Sequence, residues 1–564
     1  MPPRLIAREF DAAAARRLAA AGLPAPLARV LAARGVISAR ELELSAQELI
    51  APAALAQADT AARLLADAID RGAPLLIVAD YDCDGATACA VGVRGLRALG
   101  ARVDYLVPNR FEYGYGLTPE IVEVAAARHP RPELLITVDN GIASLDGVAR
   151  AHALGMQVLI TDHHLPGARL PAAAAIVNPN QPGCGFPSKH LAGVGVMFYV
   201  LAALRAELRR RGRISEANQP RLDELLPLVA LGTAADVVRL DRNNRILVAE
   251  GLRRMRAGRL QPGLAALFQV AGRSARTAQA ADLGFALGPR INAAGRLSDM
   301  TVGIECLLAD DPERALALAR QLDELNRERR AIEAEMQLEA TVDVDANALD
   351  TRRSITLFNE SWHPGVVGLV ASRIKERYHR PTIAFARADA GSLRGSGRSI
   401  EGVHLRDTLD LVTKVAPHLI DKFGGHAMAA GLTLRAEHFE AFCRAFEAAL
   451  QASCDAMLFE RTVLTDGPLA AEDLTLGLLE AIERQIWGQG FAPPLFANEF
   501  AVAEQRLING EHLRLTLELA GKRLPAIWFR RTEPLPSRAL LAYRLAVDEY
   551  QGLRRVQLVI EDQG

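Results

Sequence analysis

Cysteine is scarce in this chain, and its spacing fits neither a zinc site nor a disulfide framework. The 564 residues include six cysteines, Cys83, Cys89, Cys184, Cys306, Cys443 and Cys454. A structural zinc site needs paired thiolates or imidazoles at short spacing, and a small secreted fold needs a dense set of cysteines. Both classes are excluded, and we expect the reducing environment of the cytoplasm.

Long apolar runs and an excess of charge of either sign are missing as well. No stretch reaches the roughly 18 uninterrupted apolar residues of a membrane-spanning helix, and Glu9 and Asp11 stand where a secretory signal would have its apolar core. We therefore expect neither secretion nor membrane association. Lys and Arg total 66 against 67 Asp and Glu, so no overall field attracts nucleic acid, and any such binding depends on local patches.

Acidic side chains directly follow several apolar runs of this chain. Strands buried on both faces are predicted at 74–79, 134–138 and 158–161, and a fourth strand is predicted at 228–235. The carboxyl ends of parallel strands meet at one edge of a sheet, where ligands bind. The acidic and imidazole residues that follow the four runs are Asp80, Asp82, Asp84, Asp139, Asp162, His163, His164 and Asp236.

This set of side chains favours a divalent-metal site. Asp139 or Asp236 alone could be an ordinary helix cap or turn residue. The three aspartates within residues 80–84, however, repel one another strongly unless cations neutralise them. Hard oxygen ligands with one or two imidazoles suit Mn²⁺ or Mg²⁺. The sequence therefore predicts a metal-dependent hydrolase.

Three of these segments resemble the motifs of the DHH phosphoesterase family: residues 76–85 (LIVADYDCDG), 137–141 (TVDNG) and 161–164 (TDHH). Other segments are similar to those of the single-strand-specific DNA exonucleases within that family. They are 191–195 (LAGVG), 232–237 (GTAADV), 289–296 (PRINAAGR) and 424–431 (GGHAMAAG). The resemblance extends over nearly the whole chain, and no acidic position departs from it.

The resemblance implies a centre of two Mn²⁺ or Mg²⁺ ions and assigns the residues around it. The implied metal ligands are Asp80, Asp82, Asp84, Asp139, His163 and Asp236, with Asp139 as the bridge. The implied catalytic residues are His164, which faces the scissile phosphate, Asp162, which orients the neighbouring imidazole, and Asp80, which joins or supports the ligands. Two such cations hold phosphate oxygens, generate hydroxide and stabilise the leaving oxygen.

Position within the family motifs also suggests residues that bind the substrate. These are Arg110, Arg290, Arg296, Ser396, Arg398 and His426. Any single arginine could equally be a solvated surface residue. Phe111, Tyr113 and Tyr115 could stack on unpaired bases or pack their own loop. Further candidates are Trp528, Phe529, Arg530 and Arg531, although Trp528 and Phe529 would point to opposite faces of a strand, so at least one belongs to the core.

The predicted fold class is α/β: a parallel-sheet catalytic domain, a long connecting helix, a second α/β domain and a C-terminal β-barrel of the oligonucleotide-binding (OB) type. Apolar residues spaced among charges predict the long helix, and alternating strands with Gly and Pro between them predict the barrel. The predicted divisions are 1–50 (N-terminal helical extension), 51–305 (DHH catalytic domain), 306–345 (connecting helix), 346–455 (DHH-associated domain) and 456–564 (OB-fold DNA-binding domain).

The activity that the resemblance implies is 5′ to 3′ hydrolysis of single-stranded DNA to mononucleotides, in DNA recombination and repair. The alternatives are a DHH-type phosphatase of oligonucleotides or nucleotides and a non-catalytic DNA-binding scaffold. Single-stranded DNA is the expected partner of the chain, which we expect to be a monomer. The resemblance also implies a single-strand-binding protein and a RecQ-type helicase as protein partners.

Overall fold

The computed structural model describes residues 3–109, 112–344, 352–388, 391–550 and 553–564. The chain divides into two units, which we name by their main elements. The sheet unit comprises Val36–Asn326 and Glu483–Pro493, and the barrel unit comprises Met1–Gly35, Arg327–Ile482 and Pro494–Gly564. Of the helices in the described part of the chain, none combines the length and apolarity needed to cross a membrane.

The N-terminal segment contributes one strand and two helices to the barrel unit. They are β1 (Arg4–Ala7), α1 (Ala12–Ala20) and α2 (Ala25–Ala32). Strand β1 pairs in parallel with a strand at Thr462–Thr465. The Ala-rich pattern of residues 1–50 predicts helices only, because a pairing between segments so distant in sequence leaves no local signal.

The sheet unit is built on five parallel strands. Its elements up to the last of them are α3 (Ala58–Asp70), β2 (Pro74–Ala79), α4 (Cys83–Ala98), β3 (Arg102–Leu106), α5 (Pro119–Ala126), β4 (Leu134–Val138), α6 (Leu145–Ala153), β5 (Gln157–Thr161) and β6 (Ala175–Val177). The strand order is β3-β2-β4-β5-β6. Strands β2, β4 and β5 are almost wholly buried, as their continuous apolar runs predict. Strands β3 and β4 lie on opposite sides of β2, so the crossover connections change direction there. Such a switch point leaves a crevice at the carboxyl ends of the strands, where ligands bind.

Helices complete the sheet unit. They are α7 (Gly193–Arg210), α8 (Leu226–Ala235), α9 (Arg242–Arg256), α10 (Pro262–Val270), α11 (Ala280–Asp282), α12 (Gly288–Leu297), α13 (Thr301–Leu308) and the first part of α14 (Pro312–Asp343), with a π-helical turn at Leu283–Leu287. The residues of α14 from Arg327 onward belong to the barrel unit. The strand predicted at 228–235 is wrong, since this segment is helix α8. An apolar run buried on all sides does not distinguish a strand from a helix, and Pro227 in the first turn suits a helix start. The predicted long helix is present as α14.

The barrel unit contains a mixed sheet and a closed barrel. Its remaining elements are β7 (Ile355–Phe358), α15 (Val367–Tyr378), β8 (Thr382–Arg387), β9 (Ser392–Arg398), α16 (Leu405–Val415), β10 (Lys422–Gly425), β11 (Ala429–Arg435), α17 (Phe439–Ser453), β12 (Thr462–Thr465), α18 (Leu476–Glu483), β13 (Phe496–Ile508), β14 (His512–Leu519), β15 (Lys522–Trp528), β16 (Arg538–Tyr550) and β17 (Leu553–Gln563). The mixed sheet has the order β10-β11-β9-β8-β7, and the barrel closes in the order β13-β14-β15-β17-β16. The predicted OB-type barrel is confirmed.

Candidate metal centre

Three neighbouring strand ends deliver carboxylates to one edge of the parallel sheet. Asp80 follows β2, Asp139 follows β4 and Asp162 follows β5. The backbone pairing continues to these residues, because the Asp80 amide donates to the Val138 carbonyl at 3.2 Å and the Asp139 amide donates to the Thr161 carbonyl at 3.0 Å. The side chains are therefore anchored by the sheet itself.

The potential metal-binding atoms form adjoining groups. Ligand atoms of Asp80, Asp82 and Asp139 lie within 4.8 Å of one another, and so do those of Asp84, His163 and Asp236. Asp139 links the two groups, since its Oδ1 lies 3.0 Å from His163 Nε2. The same Nε2 is 3.5 Å from Asp236 Oδ2 and 4.0 Å from Asp84 Oδ2. Asp139 also forms a third group with His163 and His164.

Two atoms at the middle of this arrangement are buried without a hydrogen bond. Among the described residues, Asp139 Oδ1 and His163 Nε2 have no hydrogen-bond partner. Buried polar atoms are nearly always paired, so these two call for an unseen partner, and one cation between them would satisfy both. The donor set therefore fits Mn²⁺ or Mg²⁺.

The electrostatics of the group agree with a cation site. Burial, together with the charge of Asp82, raises the pKa of Asp84 to about 7. Burial and the neighbouring carboxylates raise the pKa of Asp139 and of Asp236 well above the usual range. Burial and the charge of His164 lower the pKa of His163 to about 4, so this imidazole is in the neutral form that binds metals. Dications would replace the protons that the carboxylates otherwise retain.

Close packing and an unusual backbone conformation fix the central carboxylates. Asp139 has φ of +63°, which is uncommon for a residue with a side chain. A Cβ at Gly193, the first residue of α7, would lie 2.6 Å from both Cβ and Oδ1 of Asp139, so only glycine permits this approach. The Asp84 carboxylate accepts hydrogen bonds from the amides of Gly193 at 2.6 Å and Val194 at 2.9 Å. The positive N-terminal end of α7 thus stabilises Asp84.

Asp162 holds His164 and is in none of the groups of potential metal-binding side chains found among the described residues. Its Oδ1 accepts hydrogen bonds from the amides of His163 (2.7 Å) and His164 (3.1 Å) and lies 2.8 Å from His164 Nδ1, while Oδ2 accepts from the Ile142 amide at 2.9 Å. Burial opposes ionisation of Asp162, but the bond to His164 and its charge outweigh burial and lower the pKa of Asp162.

His164 is the accessible imidazole of the centre. Burial works to lower its pKa, but the hydrogen bond and charge of Asp162 outweigh burial and raise it to about 9. The side chain is 36% exposed, compared with 12% for His163. An imidazole that is oriented by a carboxylate and open to solvent can donate a hydrogen bond to an incoming anion.

Two of the three aromatic loop residues lie in the described part of the chain, and their contacts differ. Tyr113 packs against the hydrophobic core of the sheet unit. The Tyr115 hydroxyl donates to the Asp139 carbonyl at 3.3 Å and lies 3.4 Å from His164 Nδ1, and its ring meets Tyr81 edge-on at 6.0 Å. Tyr115 is therefore part of the site's border. The predicted Arg110 and Phe111 lie outside the described residues.

The remaining predicted substrate residues fall in both units. In the sheet unit, Arg290 donates to the carboxylate of Asp323 at 2.9 Å and to the carbonyl of Ala286 at 2.6 Å, and Arg296 is half-buried on α12. In the barrel unit, Arg398 donates to Ser396 Oγ at 3.1 Å on strand β9. His426 lies between β10 and β11. Arg290 is thus engaged in a buried ion pair, which the sequence does not reveal.

The barrel candidates include one partly buried aromatic residue and one exposed one. Trp528 is half-buried, and the Arg531 guanidinium lies 5.0 Å from the centre of its ring. Phe529 is 52% exposed. Strand β15 ends at Trp528, so Phe529 lies beyond it, and neither residue is fully buried.

Asparagines with supporting roles were missed by the sequence reasoning. Asn140 Nδ2 donates to the carbonyls of Val78 (3.1 Å) and Val138 (2.9 Å), which ties together the ends of β2 and β4. Asn180 Nδ2 donates to the His163 carbonyl at 2.6 Å. Asn292 Oδ1 accepts from the Cys83 amide at 2.8 Å. Asn140 and Asn292 lie inside the motifs and Asn180 does not; the contacts themselves could not be predicted, since amide-to-backbone hydrogen bonds are not visible in sequence.

Models of three protein families match the chain. They are the DHH family, N-terminal domain (residues 74–233), the DHHA1 domain (352–452) and the RecJ OB domain (465–562). The first match covers all the strand ends described above. The class of protein is thus a DHH phosphoesterase with an additional OB domain.

Relatives with known names narrow this class. The single-stranded-DNA-specific exonuclease RecJ of Salmonella typhimurium is 48% identical over 556 residues, and that of Escherichia coli is 47% identical over 556 residues, each covering 96% of both chains. The crystal structure of RecJ in complex with Mn²⁺ from Thermus thermophilus superposes with a TM-score of 0.83 at 30% identity, covering 100% of this chain and 79% of that one. This chain belongs to the RecJ family.

Proposed function

We propose that this protein is an exonuclease that hydrolyses single-stranded DNA from the 5′ end and releases mononucleotides, using two Mn²⁺ or Mg²⁺ ions. The observation that carries the proposal is the pair of adjoining donor groups joined through Asp139, with Asp139 Oδ1 and His163 Nε2 buried and unsatisfied among the described residues. A phosphodiester is anionic, and hydrolysis near neutral pH needs concentrated positive charge that these side chains alone do not supply.

The ligands divide into two sets. Asp80, Asp82 and Asp139 would hold one ion. Asp84, His163 and Asp236, with Asp139 shared, would hold the other. When bound, such a pair of dications lowers the pKa of water and stabilises the charge on the phosphate and on the leaving oxygen.

The accessible histidine completes the proposed chemistry. Water attacks the phosphorus and a new P–O bond forms, while the bond to the leaving oxygen breaks. The proton that the water loses balances the one that the leaving oxygen takes up. His164 donates a hydrogen bond to a phosphate oxygen, and Asp162 keeps the ring in the orientation that permits this. Asp162 is therefore a positioning residue, and Asp80 a ligand at the end of β2.

The single-stranded DNA is bound through its phosphate backbone and its unpaired bases. The residues proposed to contact DNA are Arg110, Arg290, Arg296, Ser396, Arg398 and His426, and the barrel offers Trp528, Phe529, Arg530 and Arg531. Arg290 first serves to hold α12, through its ion pair with Asp323. Bidentate arginine donors suit phosphate, and aromatic stacking tolerates any base. A preference for single-stranded DNA therefore does not require recognition of the base sequence.

Family membership supports further proposals about the cellular setting. The chain acts in DNA recombination and repair in the cytoplasm, as a monomer, with a single-strand-binding protein and a RecQ-type helicase as partners. The six free cysteines fit a reducing compartment, and a helicase would supply the single strand that the nuclease consumes. The divisions at residues 50, 305, 345 and 455 are kept as proposed domain boundaries.

The test is cleavage of end-labelled DNA by the purified protein in Mn²⁺ or Mg²⁺. Single strands labelled at the 5′ or the 3′ end are compared with blunt duplex and RNA of the same sequence. We expect early release of the 5′ label as a mononucleotide, with duplex and RNA spared. Tight DNA binding without metal-dependent cleavage would favour the scaffold, and cleavage restricted to very short oligonucleotides or nucleotides would favour the phosphatase.

A further inference from the structure

One helical segment, residues 280–297, borders the metal centre on the side of α8. A Cβ at Gly284 would lie 3.0 Å from the carbonyl oxygen of Ala234, and a Cβ at Gly288 would lie 2.9 Å from Cβ of Ala235. These two alanines end helix α8, directly before Asp236. The first part of the segment therefore lies against the backbone that presents a metal ligand.

The second part of the same segment touches the loop after β2. Asn292 Oδ1 accepts from the Cys83 amide at 2.8 Å. A Cβ at Gly295 would lie 1.9 Å from the carbonyl oxygen of Tyr81, so this approach is open to glycine alone. The loop carries Asp82, and Asp84 follows in the first turn of α4. Residues 280–297 therefore form part of the rim of the centre and are positioned by contacts with its ligand-bearing elements.

Phe285 projects from this rim into solvent. It is 85% exposed and lies in the π-helical turn, between Leu283 and Leu287, which are both fully buried. π-Helical turns are rare and frequently occur at functional sites. An exposed phenylalanine contributes almost none of the burial free energy that its size could provide, so packing does not account for it.

Val237 is a second outward-facing apolar residue at this end of α8. It follows Asp236 directly, is 62% exposed and has φ of +61°. The left-handed region is strained for a β-branched residue, and such strain tends to persist at functional sites. The strained backbone conformation thus lies where the Asp236 side chain faces the metal-binding residues and the Val237 side chain faces solvent.

We infer that Phe285 is a stacking platform for an unpaired base of the strand whose phosphate reaches the metal centre, with Val237 as an apolar neighbour of that path. The inference rests on the proposed function and identifies where that site holds a base. Arg296, on the same rim segment, is proposed to hold the backbone. A base in a duplex is already stacked on both sides, so the platform favours single strands, and it is indifferent to base identity.

The test combines Phe285→Ala with removal of single bases from the DNA. Stacking acts on substrate binding, so Phe285→Ala should raise KM for single strands about five- to a hundred-fold while kcat changes little. In the wild-type protein, an abasic residue at one position near the scissile phosphate should raise KM similarly. In Phe285→Ala the same abasic residue should add nothing further, because the two changes remove the same contact.

Two variants serve as controls. Phe285→Trp keeps a ring and should restore the wild-type KM and its sensitivity to the abasic position. Phe10→Ala removes another exposed phenylalanine, 42% exposed in the barrel unit, and should leave both constants unchanged. Thermal melting of Phe285→Ala should match the wild type, because the side chain is exposed.

A binding readout separates this inference from the proposed function. A phosphorothioate strand with 2-aminopurine at single positions should show fluorescence quenching at one position with the wild type and Phe285→Trp, and none there with Phe285→Ala. A wild-type protein that does not cleave DNA would overturn the proposed function, whatever the quenching. Cleavage by the wild type with unchanged KM in Phe285→Ala, additive effects with every abasic position, or a loss confined to kcat would overturn the stacking role.

Discussion

The ends of strands β4 and β5 carry the same residue and use it differently. Asp139 and Asp162 each follow an almost wholly buried run on adjacent parallel strands, and each is about 1% exposed. Asp162 accepts four close contacts from backbone amides and from His164, and its pKa is lowered. Asp139 Oδ1 has no hydrogen bond among the described residues, and burial with the surrounding carboxylates raises its pKa.

The comparison shows how a ligand differs from a positioning residue. A carboxylate that accepts several hydrogen bonds from protein donors is stable in place without a metal and can orient a neighbour. A buried carboxylate left without donors, beside other carboxylates, is unfavourable unless a cation completes it. The order of the sequence does not distinguish the two, because the deciding hydrogen bonds come from the residues around each strand end.

The largest effect is expected from Asp139→Asn, which removes the shared ligand. Cleavage of single-stranded DNA should fall by at least about a thousand-fold, or about 4 kcal/mol of transition-state stabilisation. The melting temperature in chelator should stay equal or rise, because a buried carboxylate destabilised by its neighbours is replaced by a neutral amide. Single-turnover cleavage and circular dichroism provide the measurements.

The matched control is Asp146→Asn, which alters an exposed carboxylate on α6 of the same unit. It should leave both activity and melting unchanged. Wild-type turnover in Asp139→Asn would contradict its assignment as a ligand.

The stabilisation of the fold by added metal should differ between variants of Asp139 and of Asp162. Because the ions bind the folded state, Mn²⁺ at a hundred times its Kd should stabilise the wild type by about 2.7 kcal/mol per site. Asp139→Asn should lose most of this gain, and Asp162→Asn should keep it. Differential scanning fluorimetry with and without Mn²⁺ measures the shift, and equal shifts in all three proteins would break the comparison.

Asp162→Asn should reduce cleavage by about ten- to a hundred-fold, the usual scale for a residue that orients another. The loss should lie in kcat, since His164 loses its orientation while the ligands remain. Mn²⁺ affinity, measured by isothermal titration calorimetry, should be close to that of the wild type. Loss of Mn²⁺ binding in this variant would instead make Asp162 a ligand.

The smallest effect on the metal centre is expected from a substitution that leaves Asp139 in place but adds a methyl group beside it. Gly193→Ala places a methyl group 2.6 Å from Asp139 Oδ1, which should cost about 1–3 kcal/mol of folding free energy and weaken Mn²⁺ binding. Urea denaturation and Mn²⁺ titration measure both. Gly167→Ala is the control, because no described atom lies within 4 Å of its added Cβ; equal behaviour of the two variants would remove the packing argument.

Local signals were sufficient to predict the strand ends but not every element. Strands β2, β4 and β5 combine an apolar run with an acid that follows it, and both signals lie within a few residues. The run before Asp236 has the same appearance and is helix α8, because burial on all sides removes the periodicity that separates helix from strand. Asp236 reaches the cluster all the same, from the end of a helix.

Long-range partners account for the rest of what the sequence did not predict. Arg290 was a candidate for DNA binding, yet it pairs with Asp323, a residue that carries no mark of this role in sequence. Strand β1 depends on β12, more than four hundred residues later. Phe285 has no motif to identify it, because its exposure follows from a π-helical turn between two buried leucines.

The most direct test of the two-metal centre is an anomalous difference map from crystals of the protein grown with Mn²⁺. We expect two peaks, one contacted by Asp80 and Asp82, the other by Asp84, His163 and Asp236, with Asp139 contacting both and Asp162 contacting neither. A single peak, or a peak coordinated by Asp162, would contradict it.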